Sequence, residues 1–226
     1  MRTASHPRSF RPGRSGFEVA VLASPWGPIY LAGRSGRLCA VVLGGSDEAL
    51  RAHLRRGLGR RRDGRPPTTA GALDDARADD LSSGDVVAEA ARQLEAYFAG
   101  RRRDFQLPLD LDGLAAWDRR VLEAVRCVPF GTVTSYGRLA RAVGAPRAGR
   151  AVGGAVGRNP MAIVIPCHRV VSGDGSLGGY GGRWPDEREA NLARKRALLT
   201  HEGVGLPPPS FFEPPPVAPP WSAGPT

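Results

Sequence analysis

Apolar residues in the first part of the chain come in short runs broken by turn formers. Residues 18–22, 29–32 and 38–43 read as three strands. Ser24-Pro25-Trp26-Gly27-Pro28 and the glycine-bounded stretch 33–36 supply the turns between them, which predicts a small antiparallel sheet. Residues 47–58 read as a helix with Ser46 as its N-cap. Residues 60–70, basic and then rich in proline and threonine, read as a loop. Over 86–98, Val87, Ala90, Leu94, Tyr97 and Phe98 recur on one face, predicting a helix that Gly100 ends. The stretch 101–112, with Leu107, Pro108 and Leu109 extended, is the expected domain boundary.

Beyond that boundary the period becomes helical. Leu114, Trp117, Val121, Leu122 and Val125 mark a helix that stops before Pro129-Phe130-Gly131. Ser135 can cap a short helix carrying Tyr136, Leu139 and Ala142, ended by Gly144. After Ala145-Pro146 a further helix covers 147–157, and the pair forms a helix-turn-helix pattern. Arg150-Ala151-Val152-Gly153-Gly154-Ala155 places two glycines inside it, each costing about 1 kcal/mol relative to alanine. Close helix packing and close approach to a ligand backbone both account for them. A last helix is expected over 186–200, with Leu192, Leu198 and Leu199 inward and Arg188, Arg194, Lys195 and Arg196 toward water or phosphate.

These elements predict an α+β protein. Residues 1–16 form a disordered basic tail and 17–108 an N-terminal domain built on the antiparallel sheet. Residues 114–206 form a mostly helical domain that carries the helix-turn-helix pattern, and 207–226 a proline-rich disordered tail.

Composition narrows the class of partner. The 226 residues carry 32 Lys/Arg against 22 Asp/Glu, a net charge of +10, with 41% hydrophobic residues. Such a balance suits a soluble protein with polyanionic partners: DNA, RNA or an anionic membrane. Residues 114–206 hold 14 Lys/Arg and 7 Asp/Glu, so the helix-turn-helix half supplies +7 of the excess. Lys195 is the sole lysine, and a GC-rich coding bias explains the preference for arginine. No apolar stretch approaches the roughly 18 residues of a membrane span.

The three cysteines, Cys39, Cys127 and Cys167, are widely spaced and make no CxxC pattern. An odd thiol count without a secretory segment points to a reducing cytoplasm. Only Cys39, His6 and His53 are available as soft ligands in the N-terminal half, so no metal is expected. Cys167 differs from the other two. It follows the apolar run Ile163-Val164-Ile165 and Pro166, and precedes His168. A nearby imidazole can activate a thiol, and Glu202, after His201, could orient that imidazole. Asn159-Pro160 upstream supplies a rigid turn and an amide, and Gly178-Gly179-Tyr180-Gly181-Gly182 leaves backbone amides open to a ligand.

From Trp117 to Gly203 the chain resembles the O6-alkylguanine-DNA alkyltransferases, or methylated-DNA–protein-cysteine methyltransferases. The resemblance is carried, in order, by Pro129-Phe130-Gly131-Thr132-Val133-Thr134-Ser135-Tyr136, Arg150-Ala151-Val152-Gly153-Gly154-Ala155, Gly157-Arg158-Asn159-Pro160, the run from Ile163 to Val171, Gly179-Tyr180-Gly181-Gly182 and His201-Glu202-Gly203. The N-terminal half resembles the family's variable domain mainly through Ser24-Pro25-Trp26-Gly27-Pro28 and residues 93–100.

The resemblance implies a winged helix-turn-helix-like DNA-binding motif in residues 114–206 and a single-turnover DNA-repair activity without cofactor or metal. Alkyl-bearing guanine would be flipped from duplex DNA and its O6 substituent moved to Cys167. His168 would be the general base through a water, Glu202 would orient it, and Asn159 would organise the turn. Tyr136 would donate to the base N3. Arg150 would fill the gap in the stack, while Ala151, Gly153 and Gly154 let the helix sit deep in the minor groove. Backbone near Val170, Tyr180 and Gly181 would meet the guanine edge. Glycine at 181, where the family often has serine, would open the pocket to bulkier alkyl groups. The implied state is a cytoplasmic monomer on DNA bearing O6-alkylguanine, with O4-alkylthymine left open. A lesion-binding protein of the same fold that lacks the cysteine is the non-enzymatic alternative; Cys167 argues against it. A cysteine hydrolase would need an oxyanion hole, and nothing else in the chain favours one.

Overall fold

A computed structural model describes residues 8–10, 17–44, 83–181, 188–205 and 211–217, with 8–10 and 83–85 as backbone only. The helix expected over 47–58 and the loop over 60–70 lie outside the described residues. The chain divides into two compact units, Met1–Leu114 with Pro160–Ala162, and Ala115–Asn159 with Ile163–Thr226.

The first unit holds one antiparallel sheet in the order β1 (Arg8–Phe10), β2 (Glu18–Ser24), β3 (Gly27–Arg34) and β4 (Arg37–Leu43). Arg8–Phe10 falls in the stretch expected to be a disordered tail, yet it pairs with Val19 to Val21 and extends the sheet. Gly27 at φ +106 and Gly36 at φ +69 take the turn positions that a side chain would disfavour. On β3, consecutive residues Ile29, Tyr30, Leu31 and Ala32 are all buried, so both faces of the sheet are covered there. The outer edge of β4 is closed by other chain segments. Leu38 N–H donates to Pro108 O at 2.8 Å, and Val41 N–H to Pro160 O at 2.9 Å. Covering an edge in this way removes a template for unwanted strand addition.

Helix α1 (Ser83–Phe98) lies against β2, β3 and β4. Val87, Ala90, Leu94 and Tyr97 are buried, at the helical spacing read from the sequence, and Gly100 at φ +71 follows its end. Gln93 is buried as well. Its amide accepts from Gln106 N–H and donates to Gln106 O, both at 3.0 Å, which ties the extended connection to the helix.

The second unit is helical. It comprises α2 (Ala116–Arg126), the short strand β5 (Thr134–Ser135), α3 (Tyr136–Ala142), α4 (Gly149–Gly157), a 3-10 turn (Cys167–Arg169), β6 (Val170–Val171) and α5 (Arg188–His201). β5 and β6 pair in parallel. Ser135 caps α3 as expected, its Oγ accepting from Arg138 N–H at 3.2 Å. Helices α3 and α4 pack on each other and on α2, which gives the helix-turn-helix pair a backing. Asp118 of α2, itself buried, takes both Nε and Nη2 of Arg158 at 2.6 Å and so fixes the end of α4.

Two expectations about this unit are corrected. Lys195 was expected to face water or phosphate, but its side chain is fully buried on α5. Part of the proline-rich tail is ordered: residues 211–217 run along α3. Phe212 N–H donates to Val133 O at 2.6 Å and Val217 N–H to Ala142 O at 2.9 Å. Phe211 packs on the cluster of Val133, Val171, Leu199 and Val204, which gives this segment the apolar burial its composition hides.

Candidate functional site

The 3-10 turn after Pro166 brings Cys167, His168 and Arg169 into the core of the second unit together. All three are buried, and His168 is 0% exposed. Glu202, at the far end of α5, is buried against them. Its Oε1 lies 2.8 Å from His168 Nε2 and 2.8 Å from Arg169 Nη2, and its Oε2 lies 2.8 Å from Arg169 Nε. Gly131 N–H adds a longer bond to Oε2 at 3.3 Å. The carboxylate is therefore saturated with donors. Burial alone would hinder its ionisation, but His168 and Arg169 hold it well below the ordinary glutamate range.

An ionised Glu202 can only accept, which settles the imidazole tautomer. His168 carries its proton on Nε2, and the lone pair is on Nδ1. Nδ1 is buried and has no hydrogen-bond partner among the described residues. Burial lowers the His168 pKa, against the pull of Glu202, so the ring is neutral and able to accept a proton. No direct thiol–imidazole bond is made, because the only ring nitrogen with a partner faces Glu202.

Burial pushes the Cys167 thiol up, so the resting residue is protonated. Two neighbours oppose that push, the Asn159 side chain and the charge of Lys195. Asn159 also donates from Nδ2 to Ile165 O at 2.8 Å, bracing the apolar run just before Pro166. Cys39, by contrast, is a core thiol pushed up to about 12, mainly by burial. Cys127 is exposed at the end of α2.

Tyr136 stands at the start of α3 with its hydroxyl 3.5 Å from Gly179 O. Its ring lies between two glycines. A Cβ at Gly153 would come within 3.8 Å of the ring, and one at Gly178 within 3.3 Å. Burial and the nearby Cys167 raise the phenol pKa. The two glycines of α4 thus face different ways: Gly153 toward Tyr136, and Gly154 outward beside Arg158. Arg150, Ala151 and Gly154 form an exposed strip on α4, and Ala151 O accepts from Trp117 Nε1 at 3.3 Å. Gly181 has φ +64, and Tyr180 beside it is buried.

Lys195 and Arg169 are not among the site residues that the sequence suggests. Lys195 Nζ donates to Val170 O, to Leu177 O at 2.6 Å and to Gly179 O at 3.0 Å. It gathers into one cluster the strand after the cysteine and the loop leading to Tyr180-Gly181. The signal for it was its position: Asn191, Lys195, Leu198 and Glu202 follow helical spacing and are all buried. For Arg169 the signal was its place next to His168 in a turn too short to send alternate side chains outward. Among the described residues no group of three or more His, Cys, Asp or Glu side chains could hold a metal ion. No described helix is long and apolar enough to cross a membrane.

The geometry defines a helix-turn-helix protein with a buried Cys-His-Glu array behind a small-residue helix. Residues 116–204 match the 6-O-methylguanine DNA methyltransferase DNA-binding domain, and residues 19–111 match the ribonuclease-like domain of the same enzymes. The chain is 48% identical over 122 residues to the methylated-DNA–protein-cysteine methyltransferase of Mycobacterium leprae, covering 54% of this chain and 68% of that protein. For the Mycolicibacterium paratuberculosis protein of the same name the figures are 49% over 117 residues, 52% and 66%, so the aligned part spans just under two thirds of that relative. The crystal structure of Mycobacterium tuberculosis OGT in complex with DNA superposes with a TM-score of 0.58 at 35% identity, covering 80% of this chain and 90% of that one. This chain belongs to the 6-O-methylguanine-DNA methyltransferase family, the O6-alkylguanine-DNA alkyltransferases.

Proposed function

We propose that the chain is a DNA-repair alkyltransferase that moves the alkyl group of O6-alkylguanine in duplex DNA to Cys167, once per molecule. The observation that carries this reading is the His168–Glu202 contact at 2.8 Å, which leaves a neutral, basic Nδ1 in the core beside the Cys167 turn. Family membership and the DNA complex of the Mycobacterium tuberculosis relative support DNA as the partner.

The residues divide the work as follows. The Cys167 proton passes through one water to His168 Nδ1, and Glu202 stabilises the imidazolium that results. The thiolate attacks the alkyl carbon, a C–S bond forms, and the C–O6 bond breaks with its electron pair moving into the purine. Tyr136 donates its hydroxyl proton toward N3 of the base as that charge develops. Backbone at Val170 and the Tyr180-Gly181 amide bind the guanine edge. Arg150 enters the stack in place of the flipped base, and the Ala151, Gly153 and Gly154 positions admit α4 to the minor groove. The thioether is stable, so no second turnover follows, and no cofactor takes part.

The test is incubation with duplex DNA carrying labelled O6-methylguanine. Label should appear on the protein at one equivalent or less. Cys167→Ala should abolish transfer while retaining DNA binding. Release of free label over many turnovers, or transfer that survives in Cys167→Ala, would refute the mechanism.

A further inference from the structure

Two arginines of α3 converge on one carboxylate of the C-terminal segment. Arg138 Nη1 pairs with Glu213 Oε2, and Arg141 reaches the same carboxylate from Nε at 3.4 Å and Nη2 at 3.5 Å. We propose that Arg138 and Arg141 form a second DNA contact, a site for one backbone phosphate, and that Glu213 occupies it in cis as a phosphate mimic. The proposal rests on the DNA-binding reading above.

Position favours it. Helix α3 is the first helix of the helix-turn-helix, and in that motif the first helix crosses the phosphate backbone while the second enters the groove. Here α4 is the helix with the exposed strip of Arg150, Ala151 and Gly154. The donor set favours it too. Two guanidiniums one helical turn apart present several N–H groups to a single two-oxygen anion, which is how arginine pairs hold phosphate.

The strength of the contact allows exchange. The side chains of Arg138, Arg141 and Glu213 are 34%, 56% and 45% exposed, and ion pairs as exposed as these contribute little net stability. The segment that carries Glu213 is held by other means. Its backbone bonds to Val133 and Ala142 grip the two ends of the β5–α3 element. Phe211 is seated in the apolar cluster, with the Arg138 guanidinium 5.5 Å from its ring. The Glu213 side chain can therefore leave the arginines while the segment stays docked. Glu213 is also the only acid after Glu202, and Pro214-Pro215-Pro216 follow it directly. A polyproline stretch is stiff, and a stiff flank restricts where a single charge can sit.

The experiment measures binding of an O6-methylguanine duplex against salt for the wild type, Glu213→Gln, Arg138→Gln/Arg141→Gln, and the triple variant. Freeing a site for one phosphate should steepen the log–log salt dependence of Glu213→Gln by about 0.9. Its gain in affinity over the wild type should then shrink about threefold between roughly 50 and 200 mM salt. The double arginine variant, left with the Glu213 carboxylate alone at the site, should bind more weakly than the wild type, and in the triple variant the gain should vanish. An unchanged slope in Glu213→Gln, weaker binding by it, or a gain that survives in the triple variant overturns the proposal. Urea midpoints check that each variant is folded. If the wild type itself neither binds the duplex nor accepts label, it is the repair reading that fails. If it does both and the slopes do not move, only the masked phosphate site fails.

Discussion

Lys195→Met probes the buried cation behind Cys167. In the fold the Lys195 pKa is lowered by burial to about 8, from 10.5 in the exposed chain. Between those two values the unfolded chain keeps a proton that the folded protein has released. Unfolding then takes up protons, so wild-type stability rises with pH across this window. A tenfold change in proton affinity is worth about 1.4 kcal/mol, so the whole window is worth on the order of 3 kcal/mol. Cys39 and Cys167 act in the opposite sense. Burial raises both thiols, Cys39 to about 12, so the fold holds their protons above pH 9 and stability falls there. These contributions appear in both proteins and drop out of the difference, apart from the coupling between Cys167 and Lys195. The assay is urea unfolding of wild type and Lys195→Met at several values between pH 7 and pH 10.5. The gap should move in favour of the wild type by roughly 3 kcal/mol as pH rises through the window. A gap that stays constant, or moves toward the variant, would show that Lys195 does not titrate as a buried cation.

Three further substitutions bear on the site. Glu202→Gln removes the charge that pairs with buried Arg169, so stability should drop by about 3–5 kcal/mol and alkyl transfer should slow; a melting temperature within a degree of the wild type contradicts this. Wild-type stability should also fall on acidification below the ordinary glutamate range, because the depressed Glu202 contributes fully only above it. Gly178→Ala combines φ +66 with a Cβ only 2.8 Å from Ser172 Oγ and 3.3 Å from the Tyr136 ring. It should displace Tyr136 and slow transfer more than it weakens DNA binding, and equal losses in both would contradict that seat. Gly181→Ser should shift preference from benzyl- toward methylguanine, read from single-turnover rates on the two substrates; an unaltered ratio removes glycine 181 as a pocket-opening residue.

How much of this could be read beforehand depends on what kind of signal each element carried. The strands, α1, the Ser135 cap and the glycine stops were legible because period, capping and turn chemistry act locally, within a few residues. Cys167, His168, Tyr136 and Glu202 stand out as candidates through motifs in register, and the structure brings His168 and Glu202 into contact across 34 positions, despite a long connection before α5. Arg8–Phe10 and residues 211–217 were not legible, since a three-residue strand and a proline-rich segment take their order from the partners they dock on.

Lys195 failed for a different reason, and it shows how the site is built. Sorting α5 by residue type sends every lysine and arginine outward. Sorting it by position gives a buried stripe at Asn191, Lys195, Leu198, Leu199 and Glu202, with spacings of four, three, one and three. Only two of those five residues are apolar. A helix with so polar a buried face gains little from apolar burial alone, and each polar group on it costs stability unless it is paired. The pairing partners are His168, Arg169 and the carbonyls of Val170, Leu177 and Gly179, which are the residues around Cys167. Docking α5 and assembling the site are therefore the same event: the helix is held by the contacts that orient His168 and set the loop before Tyr180. A substitution that breaks either contact should loosen both, which is why Glu202→Gln is expected to cost stability and transfer together.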